Sequence, residues 1–150
     1  MGSPFGTFST HSPEETQALG QVLGVTLTPG AVVAFRGDLG SGKTCMIQGI
    51  CHAFQVYDYV TSPTFILINE YAGKRAERLV SIYHFDLYRL SGEDDLEGIG
   101  AEEYFYGDGI CLVEWAERAG ELLPENRVDV TLEYGGEELR QITVEQMVNR

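Results

Sequence analysis

The sequence predicts an α/β fold of three layers, in which helices cover both faces of a mixed, mostly parallel sheet with antiparallel strands at its edges. Three observations carry this. Nearly continuous apolar runs such as "AVVAF", "LVSIYHF" and "ICLV" alternate with segments of helical periodicity, the pattern of buried strands joined by crossover helices. The octet "GDLGSGKT", Gly37 to Thr44, has the form G-x-x-x-x-G-K-[ST] and stands between such a strand and such a helix. That is the setting of a phosphate-binding loop, and so of a P-loop NTPase-like fold. The chain closes on "RVDVTLEY" and "LRQITVEQM" around Gly135 and Gly136, which reads as a β-hairpin.

The elements follow in order. Residues 1–150 are the size of one domain, and residues 1–6 are expected to be disordered or left over from expression. "THSPEETQALGQVLG" reads as a helix with Ser12 as N-cap, Pro13 at the first helical position and Glu15 closing a capping box. Its apolar stripe is Ala18, Leu19, Val22 and Leu23, and Gly24 is a stop signal. "TPGAVVAFRG" is a turn and then a strand suited to the sheet centre. "KTCMIQGICHAF" is a helix that buries Met46, Ile47, Ile50 and Phe54. "TSPTFILINEYA" begins irregularly and becomes a strand, "GKRAER" is a charged turn, and "LVSIYHFDLYRL" is a second apolar strand. "SGEDDLEGIGAEEYFYGDG" is a loop with short helical pieces, and "ICLVEWAERAGELL" is a third buried strand running into a helix or loop.

Composition narrows the function. The net charge is −13, from 10 basic and 23 acidic residues, and such a surface repels nucleic-acid phosphates. No apolar run approaches the ~20 residues that cross a bilayer. The N-terminus lacks the basic start and apolar centre of a signal peptide, so a cytoplasmic location is expected. Cys45, Cys51 and Cys111 form no C-x-x-C pair and have no histidine at metal-ligand spacing. They read as reduced thiols. Cys45 stands at a helix start, where a thiol pKa tends to fall.

The chemistry centres on the octet. Gly37, Gly40 and Gly42 let the backbone curl so that N–H groups along Asp38, Leu39, Ser41 and Cys45 can face phosphate oxygens, and the helix N-terminus adds its dipole. Lys43 can reach the β- and γ-phosphates, and the Thr44 hydroxyl can bind Mg²⁺. A carboxylate partner for the metal is expected at the end of a neighbouring buried strand. Glu114 in "ICLVEW" and Asp86 in "IYHFDLYRL" both qualify. Strand alternation puts His84 on the same face as Asp86. "TSPTF" offers hydroxyls at Thr61, Ser62 and Thr64 beside Pro63, in the place where phosphate-loop proteins often sense the γ-phosphate. No N-K-x-D motif for guanine follows, and Lys74, Arg75 and Arg78 read as a solvated turn rather than a kinase lid. Arg89 is the best internal candidate for an arginine finger.

"GDLGSGKT", "SPTFILINEY", "HFDLYRL" and "LVEWAE", in this order in a chain of this size, resemble the bacterial TsaE family, formerly YjeE, from about Phe8 to about Val144. The resemblance implies a Mg²⁺-dependent ATPase that supports threonylcarbamoyladenosine formation at adenosine 37 of tRNA. In that family the ATPase acts on a complex of TsaD and TsaB, which leaves no need for direct tRNA binding or for a membrane. The implied site residues are Lys43 and Thr44 of the loop, Glu114 as magnesium ligand and Trp115 beside the nucleotide. Asp86 is implied in hydrolysis and Thr64 in a switch-like segment. Thr10, Ser12 and Pro13 would lie near the base. "EWAE" stands where "EWPE" is frequent, and Cys45 replaces a common second threonine. A small-molecule P-loop kinase is the alternative reading, and a nucleotide-dependent binding module is a third.

Overall fold

The computed structural model describes residues 3–38, 40–57, 68–90 and 93–148. Seven strands form one sheet in the order β1-β7-β6-β2-β5-β4-β3. Strand β2 (Val32–Arg36) lies at its centre and is buried from Val32 to Phe35. It pairs in parallel with β5 (Ile110–Glu114) and with β6 (Arg127–Tyr134), and β5 pairs in parallel with β4 (Arg78–Asp86). Strands β1 (Gly6–Thr10), β7 (Arg140–Met147) and β3 (Ile68–Arg75) add antiparallel pairings outside these four. The sheet is therefore mixed with antiparallel edges, as expected, but parallel and antiparallel pairings are equal in number.

Helices cover both faces. On one side α1 (Pro13–Thr26) and α2 (Lys43–Ala53) pack over Val33, Phe35, Leu112 and Val130. On the other, α3 (Glu93–Gly98), α4 (Ala101–Phe105) and a 3₁₀ segment (Ala116–Leu122) cover Ala34, Phe85 and Val113. Strand alternation assigns residues to these two cores: Leu112 faces α1 and α2, and Val113 faces α3 and α4.

Helix α1 starts as the sequence predicts. The Ser12 hydroxyl accepts from the Glu15 N–H at 3.1 Å, and a Glu15 carboxylate oxygen accepts from the His11 N–H at 2.8 Å. Its buried face differs from the expected stripe. Thr16, Gly20, Leu23 and Gly24 are buried, whereas Ala18 is exposed. Gly24 does not stop the helix, which runs on to Thr26. A Cβ on Gly24 would lie 2.7 Å from the Ala53 Cβ, and one on Gly49 would lie 1.9 Å from the Gln17 carbonyl oxygen. These glycines let two helix backbones touch, and that close approach outranks the larger apolar side chains in choosing the buried face. Gly49→Ala is expected to force the helices apart and lower stability by ~1–3 kcal/mol despite its better helix propensity. Gly98→Ala, with nothing within 4 Å of the added carbon, is the neutral control. Urea denaturation of the two variants checks this.

Pro4 is buried and Gly6 opens β1. Two further readings are corrected. The closing hairpin of β6 and β7 is not at the sheet edge, because β1 covers β7. "GKRAER" is mostly strand: Arg75 pairs with Arg78, and only Ala76, at φ 54°, and Glu77 turn the chain. Arg75 is not a solvated residue. Its guanidinium donates to the Gly24 carbonyl at 2.6 Å and to that of Leu27, and stacks 4.2 Å from the Phe54 ring centroid. It thereby satisfies carbonyls at the C-terminal end of α1.

Candidate nucleotide and metal site

Strands β2, β5 and β4 run parallel and end on one side of the sheet. The carboxyl ends of such strands, flanked by a helix N-terminus, are where α/β folds bind ligands. The loop after β2 carries Gly37, Gly40 and Gly42 at φ 150°, 77° and 105°, values that favour glycine. It delivers Lys43 and Thr44 to the first turn of α2. Glu114 ends β5 and Asp86 ends β4, and the two are paired in register. Gly42, Lys43, Thr44, Asp86, Glu114 and Trp115 line a hollow of about 330 Å³.

Glu114 is buried at 3% exposure. Its Oε2 lies 2.6 Å from Nε2 of His84, which is fully buried, and its Oε1 accepts from the Thr44 hydroxyl at 3.4 Å. The Tyr71 hydroxyl stands 3.5 Å from the other ring nitrogen of His84. A buried carboxylate beside a hydroxyl at a helix N-terminus is a donor set suited to a hard divalent cation. The Ser41 hydroxyl oxygen is buried in the same loop with no hydrogen-bond partner among the described residues, which suits a loop that meets ligand oxygens. These residues fit a magnesium–phosphate ligand.

The Lys43 ammonium donates to the Gly37 carbonyl and, at 3.4 Å, to that of Asp38, and it lies 3.8 Å from the Trp115 ring centroid. Burial lowers its pKa, and the carboxylates of Glu114, Glu117, Asp86 and Asp38 oppose that effect. Trp115 is held at φ 56°, a left-handed value for a bulky side chain, and its ring packs 4.9 Å from that of Tyr88. Backbone strain of this kind concentrates at functional sites.

Asp86 accepts from the Tyr88 N–H at 3.0 Å. Burial raises its pKa above the ordinary 3.8, helped by the Glu114 charge and opposed by the Tyr88 hydrogen bond, His84 and Lys43. The fold therefore disfavours the ionised carboxylate. Its contribution to stability is full below the unfolded pKa and is lost as pH rises through the higher folded value. Asp86→Asn is expected to melt above the wild type at pH 7, with the gain shrinking as pH falls toward 4. Thermal melts across that range check it.

Ser12 and Pro13 line an adjoining hollow with Thr16, Gly40, Gly42 and Cys45. The Thr10 hydroxyl instead bonds that of Thr16 at 2.7 Å, and Thr10 does not line this hollow. The Cys45 thiol donates to the Pro13 carbonyl at 3.0 Å, and its pKa is pushed up by burial and by Glu14. Burial outweighs the helix-start effect that the sequence suggests. The Cys51 and Cys111 thiols, both buried and free, are pushed up to about 12 by burial. Leu39, Thr61, Ser62, Pro63 and Thr64 lie outside the described residues. Arg89 is exposed and is not among the residues that line the hollow, although its neighbour Tyr88 is.

A sequence model of the TsaE family, "Threonylcarbamoyl adenosine biosynthesis protein TsaE", matches residues 10–142. The chain belongs to the TsaE family. It is 39% identical over 141 residues to the tRNA threonylcarbamoyladenosine biosynthesis protein TsaE of Bacillus subtilis, covering 94% of this chain and 85% of that one. It is 38% identical over 135 residues to the TsaE of Treponema pallidum, covering 90% and 96%. The crystal structure of Bacillus subtilis YdiB superposes with a TM-score of 0.76 at 35% identity, covering 96% of this chain and 86% of that one. Segments far apart in this sequence thus converge: Lys43 and Thr44 of "GKT", Asp86 of "HFD", and Glu114 and Trp115 of "VEW" line one hollow.

Sequence reasoning did not identify the Glu114 contact of His84, although the H-x-D alternation placed His84 on the correct face. It also missed Tyr88, two residues beyond Asp86, and the bracing of the loop by the β6–β7 hairpin. Arg140 donates to the Gly40 carbonyl at 3.3 Å and stacks 4.2 Å from the Tyr134 ring centroid.

Proposed function

We propose that this chain is a Mg²⁺-dependent ATPase of the cytoplasm that supports threonylcarbamoyladenosine formation at tRNA position 37 by acting on a TsaD–TsaB complex. The observation that carries the reading is the meeting of Lys43, Thr44, Glu114 and Asp86 around one hollow beside the phosphate loop. The loop N–H groups and the Lys43 ammonium bind and orient the phosphates. Thr44 and Glu114 are the residues to hold Mg²⁺, which when bound neutralises charge on the transferred phosphoryl group. Asp86 holds the attacking water or the metal's water shell, and burial shifts its carboxyl toward the protonated form. Trp115 and Tyr88 wall off one side. No arginine is among the described residues that line the hollow, and slow hydrolysis by the isolated chain is expected.

The test combines ATP turnover with co-purification. Slow phosphate release alone, faster release with TsaD and TsaB, and capture of that complex support the proposal. Phosphate transfer to a metabolite instead of water would establish the kinase reading. Failure to bind TsaD and TsaB both with and without ATP would overturn the assignment of partners.

A further inference from the structure

We propose that His84 is the positioning residue of the metal site, fixing which oxygen of Glu114 faces Thr44. Three observations support this role. His84 and Glu114 are both buried, and the 2.6 Å contact joins Nε2 to Oε2 alone. The other oxygen, Oε1, points to the Thr44 hydroxyl. The strands fix the pair: His84 stands opposite Leu112 and Asp86 opposite Glu114 on the face toward α2. A carboxylate accepts, so His84 Nε2–H donates, and the remaining ring nitrogen turns to the Tyr71 hydroxyl. The result is an ordered line from Tyr71 on β3 through His84 on β4 and Glu114 on β5 to Thr44 on α2.

A carboxylate free to rotate would present either oxygen and would lose rotamer entropy on meeting a cation. One clamped at Oε2 presents a single oxygen in a fixed direction. Partners of this kind, behind a metal ligand, typically contribute 10–100-fold to metal affinity. His84 does not touch the ligand in this scheme and acts through Glu114. The inference rests on the Mg²⁺–ATP reading above.

Two variants separate positioning from mere packing. In His84→Gln the amide nitrogen falls near the place of Nε2 and can still donate to Glu114. In His84→Asn it falls near Nδ1 and cannot reach. Binding of ATP by calorimetry is followed in EDTA and across a Mg²⁺ titration, with a thermal melt of each variant. His84→Asn is expected to need about 10–100-fold more Mg²⁺ to reach full ATP affinity, with metal-free ATP binding unchanged. His84→Gln is expected to recover most of the wild-type Mg²⁺ response. Equal Mg²⁺ dependence in His84→Asn, His84→Gln and wild type would overturn the role. So would equal loss of metal-free binding in both variants, because that marks a general packing defect. Wild-type binding that ignores Mg²⁺ would overturn the underlying reading itself, and it would be seen before any variant is made.

Discussion

Glu114→Gln is expected to lower Mg²⁺-dependent ATP hydrolysis by at least about 10²-fold, equivalent to ~2.7 kcal/mol of transition-state stabilisation. Glutamine is the informative substitution because it keeps the volume and the acceptor that faces His84. Alanine would leave a buried imidazole donor unpaired, at ~1–3 kcal/mol, and would confuse a folding defect with a chemical one. Glutamine removes only the negative charge, which lies buried at 3% exposure. Taking one charge out of a buried site lowers a desolvation penalty, so the variant should melt no lower than the wild type. The same change should weaken ATP binding in Mg²⁺ but not in EDTA. Single-turnover hydrolysis with paired melts checks all of this. Hydrolysis within a few-fold of the wild type would transfer the metal-ligand role to Asp86, which ends the adjacent strand opposite Glu114.

What the sequence disclosed follows from the range of the interactions involved. The phosphate loop was legible because its requirements are local. Glycines at positive φ, an apolar strand before and a helix after are all written within about twenty neighbouring residues. β2 was legible as a central strand because burial on both faces leaves a continuous apolar run. β1 was not, because "GTFST" has little apolar content and owes its place to pairing with β7, 136 residues away by the register Thr7 to Thr143. The buried face of α1 was misread because a hydrophobic stripe is the usual signal, whereas here Gly20 and Gly24 permit contact with the α2 backbone. At the site, residue types were legible and their pairings were not. Nothing local to "YHFD" states that the histidine will meet Glu114, since that depends on the register of two parallel strands. The choice between Glu114 and Asp86 was open in sequence for the same reason. The structure places the Thr44 hydroxyl against Glu114, a pairing that no local pattern in the sequence states.

Lys43→Met is expected to weaken ATP binding by roughly tenfold to a hundredfold, from the loss of a charge-assisted hydrogen bond worth ~1.5–3 kcal/mol. Hydrolysis should fall further, because the ammonium also meets charge that grows on the phosphoryl oxygens in the transition state. Methionine keeps an unbranched apolar side chain of similar length and removes the ammonium, and with it the contact that Nζ makes over the Trp115 ring. Arginine would not substitute, since a planar fork cannot replace a point charge seated among the loop carbonyls of Gly37 and Asp38. The lowered pKa of Lys43 supplies a second signature. Burial disfavours the ammonium, and only the protonated form attracts phosphate. Wild-type ATP affinity should therefore decline as pH rises, beginning below the ordinary lysine value of 10.5. Lys43→Met should lack that alkaline limb while keeping whatever pH dependence the rest of the site imposes. Calorimetric ATP titrations from neutral to alkaline pH on both proteins read the difference directly. An alkaline decline that persists unchanged in Lys43→Met would assign it to another group and remove Lys43 from the phosphate contact.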